Sequence, residues 1–316
     1  MQYSIISVIL FILELVYFRI AEKFNIFDAP NDRSSHSKIT IRGGGILFPL
    51  AVIISFVLGY TSWALTLAVL LVGTVSFIDD LKPLSQLPRF TSHVIGFLLV
   101  AYDLNLFNEA LWILPIVLIL FIGWINAFNF MDGINGIMVF YALSTIFSFA
   151  FLSIHESNLP LLITIGLSCI VFGFFNVRTT AKTFAGDVGS ISLALFLGYF
   201  MIKTILITGQ IGYILFFSVY GIDAVITIAN RIRKRENIFE AHRSHLYQYL
   251  ANERGYSHLV ISLIYSIVQL LINGFVIYLD RKGTLSLFAI IEILIILTLF
   301  YLMVRVFVFQ KIKNNN

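Results

Sequence analysis

The sequence predicts an all-α, polytopic integral membrane protein, and two observations carry that expectation. The 316 residues are 59% hydrophobic and only 12% charged, with a mean hydropathy of +0.93, far from the balance of a water-soluble domain. Apolar runs long enough to cross about 30 Å of hydrocarbon, roughly 17 to 25 residues each, recur almost without interruption from Ile5 to Phe309. Residues 1–316 therefore read as a single membrane-embedded domain.

About eleven transmembrane helices are expected, over 3–20, 44–60, 63–78, 90–107, 110–126, 136–154, 159–178, 189–206, 211–230, 258–279 and 284–308. The first carries Glu14 and lacks a basic lead-in and a small-residue cleavage site, so it reads as a retained helix rather than a signal peptide. Cys169, the lone cysteine, cannot form an internal disulfide and reads as a small core residue. Eleven crossings place 21–43, 79–89, 127–135, 179–188, 231–257 and the C-terminal tail on one face. Of 21 Lys and Arg, only Lys203, Arg281 and Lys282 fall on the opposite side, so the first face is expected to be cytoplasmic, with the N-terminus outside and the C-terminus inside. The pI near 9.1 then reflects the placement of basic residues against membrane lipids, and no nucleic-acid partner is expected.

The same threading gathers the chemistry on that face. The segment Asn31 to Ile46 mixes Arg33, His36, Lys38 and Arg42 with Gly43-Gly44-Gly45, which suit close helix packing or backbone N–H groups offered to a phosphate. Asp79 and Asp80 end a membrane helix, where their mutual repulsion calls for a metal or a basic partner. Asn126, Asn129, Asp132 and Asn135 share one face if that segment stays helical, offering oxygens to Mg²⁺ or donors to a phosphate or base. Asp187 sits in a small-residue turn with Asn176, Arg178 and Lys182 upstream, which suits a hard cation and equally a helix cap. His242, Arg243 and His245 fit anionic phosphate better than zinc, for no cysteine ligand accompanies them. Carboxylates for Mg²⁺, cations for phosphate and a membrane to hold a lipid together point to phosphoryl transfer to or from a lipid.

These motifs resemble, in order and over nearly the whole chain, the polyprenyl-phosphate N-acetylhexosamine-1-phosphate transferases, a superfamily that includes phospho-MurNAc-pentapeptide translocase. The residues that carry the resemblance are Arg42 to Gly45, Asp79-Asp80, Asn126 to Gly136, Phe184 to Ser190 and His242 to His245. It implies transfer of a sugar 1-phosphate from a UDP-N-acetylhexosamine to undecaprenyl phosphate, with release of UMP and a need for Mg²⁺ or Mn²⁺. It also implies Asp187 and Asp132 as metal ligands, and Asp79, Asp80 and Asp132 as the catalytic carboxylates. Lys38, Asn129, Asn135, Asn176, Phe184, His242, Arg243 and His245 would bind the substrates, Asn176 and Phe184 near the uracil. The chain departs from D-G-x-D-G by carrying Asn135 in Asp132-Gly133-Ile134-Asn135-Gly136, and from a histidine run by carrying His-Arg-Ser-His. Both departures point to the branch that initiates O-antigen or other surface glycans at the inner membrane. A homodimer is compatible with this reading. The alternative, a multi-pass transporter or lipid flippase, rests on Glu14, Asp103, Asp223 and Glu292 in or near the spans.

Overall fold

The computed structural model describes residues 1–30, 35, 38–237 and 243–313, with side chains through 310. Each of the eleven expected segments is helical: α1 (Gln2–Lys23), α2 (Leu47–Val57), α3 (Trp63–Leu81), α4 (Gln86–Asp103), α5 (Ile113–Phe130), α6 (Ile137–Ala150), α7 (Leu159–Asn176), α8 (Gly186–Thr208), α9 (Ser218–Arg233), α11 (His258–Arg281) and α12 (Leu287–Lys313). The short α10 (Leu246–Gln248) and a π-helical turn, Tyr249–Glu253, lie in the last long loop. Eight helical stretches among the described residues are long and apolar enough to cross a membrane, while Gly44–Val57 and Ile137–Ala150 are shorter. The protein is thus a polytopic membrane protein.

α8 is the axis of the bundle. It packs on α2, α3, α5 and α6, and 67% of its apolar window is buried, against 11% for α12 and 17% for α5. Its sequence explains this, being apolar on every face with Gly189, Ser190, Ser192, Ala194 and Gly198 at points where neighbours approach. Because lipid supplies no hydrophobic drive between helices, polar contacts help to fix the neighbours. Trp124 of α5 donates to the Ala194 carbonyl at 2.8 Å and stacks on Phe217 at 3.5 Å. Farther out, Gln269 of α11 accepts from the Tyr141 hydroxyl and the Val219 N–H, and donates to Leu215 O and Asn273 Oδ1. That side chain ties α6, α9 and α11 together.

One departure from an all-helical reading occurs on the expected cytoplasmic face. Phe27–Asp28 and Thr40–Ile41 pair as a two-residue antiparallel ribbon, with a parallel bridge from Ile41 to Thr183. The following glycines serve packing rather than anion binding: the Gly44 and Gly45 N–H groups donate to Phe184 O and Ala185 O at 2.9 and 3.0 Å. A Cβ on Gly45 would collide with the Gly189 Cα and the Ala185 carbonyl, both backbone atoms that cannot swing aside. Gly45→Ala is therefore expected to destabilise the detergent-solubilised protein by about 1–3 kcal/mol, the usual cost of overpacking. Gly274→Ala, on an open face of α11, is expected to leave thermal unfolding unchanged or slightly raised.

Candidate active site

Four loops converge where α3, α5 and α7 end and α8 begins. Asp80 closes α3, and its buried carboxylate accepts from Arg42 Nε at 2.7 Å, from the Asp187 N–H at 2.9 Å and from the Val188 N–H at 3.0 Å. The first N–H groups of a helix have no intrahelical acceptor, so Asp80 caps α8 from a residue 107 positions earlier. Only glycine fits beneath it: Gly186 has φ +70°, and a Cβ there would strike the Asp80 carboxylate. Asp79 faces elsewhere, accepting from the Leu84 N–H at 2.6 Å and pairing with Arg89 at 3.0 Å. The repulsion expected between Asp79 and Asp80 is thus relieved by two arginines, one for each carboxylate.

The asparagine-rich stretch does not stay helical. α5 ends at Phe130 and α6 starts after Gly136, whose φ of +84° breaks the helix. Gly133 allows the chain to turn against the Tyr247 hydroxyl, which donates to Phe130 O at 2.9 Å. Asn126 remains on α5, about one turn before its end, and donates to Ile122 O. Asn129 hydrogen-bonds Asp187, whose carboxylate also lies 3.9 Å from Arg42 Nη2. Asp132 comes off the turn beside them.

Two of the asparagines serve the fold. Asn135 Nδ2 donates to Arg178 O at 2.7 Å and Thr179 O at 3.3 Å, while its own carbonyl accepts from Ser262. Asn176 Oδ1 accepts from the Gly136 N–H at 2.8 Å and its Nδ2 donates to Thr183 O at 2.9 Å. Both amides therefore sew the loop 131–136 to the loop 177–185. The departure from aspartate at 135 has a physical reason, because carbonyl oxygens require a donor that a carboxylate lacks.

A pocket of about 240 Å³ opens among these loops, lined by Asp28, Ser35, Arg42, Asn129, Asp132, Asn135, Asn176, Phe184, Asp187, Ser190, Gln248 and His258 among others. A second, of about 630 Å³, shares Ser35, Asn135, Phe184 and His258 with it and adds Lys38, Thr179, Thr180, Asn252 and Tyr256. The two form one cleft, charged at one end and rich in hydroxyl, amide and aromatic groups at the other. The smaller alone is below the span usual for small-molecule sites, and the two together lie within it. Oxygens of Asp132, Asp187 and Asn129 are available for a hard cation at the charged end. Among the described residues, no group of three or more His, Cys, Asp or Glu is placed to hold a metal.

Of the expected residues, Asn129, Asp132, Asn135, Asn176, Phe184 and Asp187 line the charged pocket, and Lys38 lines the second. Asp79 and Asp80 lie behind the wall. His245 is buried away from both pockets, with Nδ1 3.0 Å from Asp223 Oδ1, and Arg243 pairs with Glu253 at 3.4 Å. His242, Arg33 and His36 lie outside the described residues. Asp223, the carboxylate that raised the transporter alternative, also accepts from Tyr265, Tyr301, Thr227 and the Leu246 N–H. Sequence reasoning missed Gln248 and His258 as lining residues. His258 carried a signal, standing at the first turn of a helix directly after Gly255-Tyr256-Ser257 on the face that holds the other motifs.

Residues 62–205, spanning α3 to α8 and so most of these loops, match the model for glycosyl transferase family 4. Over that stretch the chain is similar to glycosyl transferase family 4. It is similar to a probable undecaprenyl-phosphate N-acetylglucosaminyl 1-phosphate transferase of Bacillus subtilis, 27% identical over 83% of this chain and 81% of that one. An undecaprenyl-phosphate alpha-N-acetylglucosaminyl 1-phosphate transferase of Thermotoga maritima is 26% identical over 79% and 81%. A phospho-N-acetylmuramoyl-pentapeptide-transferase of Lacticaseibacillus paracasei is 28% identical over 48% and 57%. Within the matched stretch, the fold brings Asp80, Asp132 and Asp187 close enough to feel one another's charge.

Two predictions follow from the geometry of this core. Asn135→Asp would set a carboxylate against two carbonyl oxygens, so thermal unfolding is expected to show a loss of about 1–3 kcal/mol, larger at pH 8 than at pH 5, where a protonated carboxyl restores one donor. Burial, with the charges of Asp187 and Asp80, pushes Asp132 up to about 7. The folded protein then holds that proton more tightly than the unfolded chain, so stability is full below the ordinary carboxylate range and falls as pH rises through about 7. In chelator-containing buffer the unfolding temperature should decline over that window in the wild type, and the decline should be shallower in Asp132→Asn.

Proposed function

We propose that the protein transfers an N-acetylhexosamine 1-phosphate from a UDP-sugar to undecaprenyl phosphate, releasing UMP, at the cytoplasmic face of the cell inner membrane. The observation that carries this reading is the charged pocket, in which Asp132, Asp187 and Asn129 face Arg42 at the mouth of a helical bundle. The activities named for the Bacillus subtilis and Thermotoga maritima relatives support it. Initiation of O-antigen or another surface glycan is the role that fits such a product.

The donor set suits Mg²⁺, with Mn²⁺ as a substitute: two carboxylates and an amide oxygen leave positions for phosphate oxygens and water, as this ion prefers. Asp132 and Asp187, with Asn129, would hold it, and it would supply positive charge against the diphosphate. The protein's own groups do the rest. Arg42, its Nε fixed on Asp80, presents the remainder of its guanidinium to the same phosphates. Asn129 orients Asp187 by its hydrogen bond. Asp80 acts as a positioning residue, because both its oxygens are engaged with donors.

In the transfer, an oxygen of the lipid phosphate bonds to the sugar-side phosphorus, and the bond from that phosphorus to the bridging oxygen breaks, so UMP departs with the bridging oxygen. A phosphate monoester with a second pKa of about 6 is mostly dianionic at pH 7, so the nucleophile needs no base. Phe184, half exposed in the wall shared by both pockets, offers a stacking surface for uracil. Membranes incubated with UDP-[³H]GlcNAc and undecaprenyl phosphate should form a labelled lipid and release UMP when Mg²⁺ is present. Asp187→Asn should lower that rate at least about 100-fold, the scale of losing a metal-bound carboxylate. Near-wild-type activity in this variant, or no labelled lipid with any UDP-N-acetylhexosamine, refutes the reading.

A further inference from the structure

Gln248 lines the charged pocket yet has no part in the chemistry above. Its side chain is largely buried, with only 8% of the residue exposed, and its orientation is set from behind. The backbone N–H of His245 donates to Gln248 Oε1 at 3.2 Å, while the Gln248 N–H donates to the His245 carbonyl at 3.1 Å. A backbone N–H can only donate, so the atom that faces it is the amide oxygen, and the other amide atom is a nitrogen with two hydrogens to give. Among the described residues, Gln248 Nε2 has no acceptor. The segment that carries it is itself held. Asp223 accepts from the Leu246 N–H at 3.3 Å and lies 3.0 Å from His245 Nδ1, and the Tyr247 hydroxyl, pressed on Gly133, donates to Phe130 O at 2.9 Å. Gln248 is thus pinned beside the turn that carries Asp132, with an unused N–H pair on a pocket wall.

We propose that Gln248 is a specificity-determining residue whose Nε2–H donates to the 2-acetamido carbonyl of the transferred sugar. This rests on the transferase reading. The division of the cleft favours the assignment. Phe184, the surface offered to uracil, lines both pockets, and Thr179, Thr180 and Tyr256 extend the second, whereas Gln248 lines the charged pocket alone. With the nucleoside toward the second pocket and the diphosphate at Asp132, Asp187 and Arg42, the sugar is the part of the donor left in the first. Its acetamido group stands on the carbon next to the one that bears the phosphate, and a carbonyl oxygen is a better uncharged acceptor than the hydroxyls around it. An amide donor suits that oxygen. A cation at 248 would instead be drawn to the carboxylates that line the same pocket.

The test compares two donors within one protein preparation, so that a change in folding cancels. Solubilised protein with Mg²⁺ is titrated by calorimetry with UDP, with UDP-GlcNAc and with UDP-glucose, which carries a hydroxyl in place of the acetamido group. UDP-GalNAc and UDP-galactose replace the two sugars if only the galacto donor yields labelled lipid. Gln248→Glu keeps an oxygen for the His245 N–H and loses the donor. Gln248→Met loses both, and thermal unfolding reads the loss of the backbone contact separately.

The wild type is expected to bind the N-acetylated donor at least about 10-fold more tightly than its hydroxyl counterpart, and both variants are expected to bring the two within about 3-fold. Gln248→Met is expected to bind UDP within about 3-fold of the wild type, because UDP carries no sugar, and to unfold at a lower temperature than Gln248→Glu. No preference in the wild type, a preference that survives in either variant, or equal weakening of UDP and UDP-sugar binding in Gln248→Met overturns the assignment. If the preference is present and is lost in both variants, but no sugar phosphate reaches the lipid, the transferase reading fails and the contact with the acetamido group stands. If transfer proceeds and the preference survives, the Gln248 assignment alone fails.

Discussion

The carboxylate of Asp80, at the end of α3, accepts from Arg42 before α2 and from the N–H groups of the second and third residues of α8, and the shape of the pocket depends on that junction. A helix that begins inside a bundle must find acceptors for its leading N–H groups, since neither lipid nor bulk water reaches them. Asp80 supplies them and draws Arg42 to the same spot. Asp187, on the second residue of α8, is thereby fixed in rotation and faces the turn that carries Asp132. One ion pair, Asp80 with Arg42, thereby helps to place two other carboxylates, Asp187 and Asp132.

Around this junction the loops are joined by backbone and amide hydrogen bonds as well as by the close packing of Gly45 on Gly189. Gly44 and Gly45 donate to the carbonyls of 184 and 185, the ribbon of 27–28 with 40–41 reaches Thr183, and Asn135 and Asn176 bridge two loops with donors and acceptors used at both ends. Such a framework leaves the facing side chains to Asp132, Asp187, Asn129 and Arg42. It also accounts for the asparagine at 135, where the partner atoms are carbonyl oxygens.

The opposite side of the face is governed by a second buried carboxylate. Asp223 on α9 gathers His245, Tyr265 and Tyr301, and Arg305 adds bonds to Tyr301, Thr227 and Ser244 O. This network fastens the peripheral α12 and the segment around α10 to the bundle, and Gln248 and the Tyr247 hydroxyl carry that order on to the pocket and to Phe130 O. His245 orders the loop that completes the cleft, and Asp223 has its oxygens filled by donors instead of lying along an ion path.

The helical character, the positions of all eleven segments and the clustering of motifs on one face were legible in the sequence, because hydrocarbon demands long apolar runs and tolerates charge only at their ends. Asp132, Asp187 and Asn129 could be singled out for the same reason, since polar groups crowded at a helix end in so oily a chain need a purpose, whereas Phe184 was reached only through the family resemblance. Which polar groups face the cleft was decided only by tertiary structure. Asp79 and Asp80 are adjacent, yet one side chain meets Arg89 and the other the start of α8, and no local spacing reveals partners 10 and 107 residues away. Asn176 and His245 were equally ambiguous, since a buried hydrogen bond and a ligand contact call for the same residue types. The choice between them is made by the chain segments that happen to pack alongside.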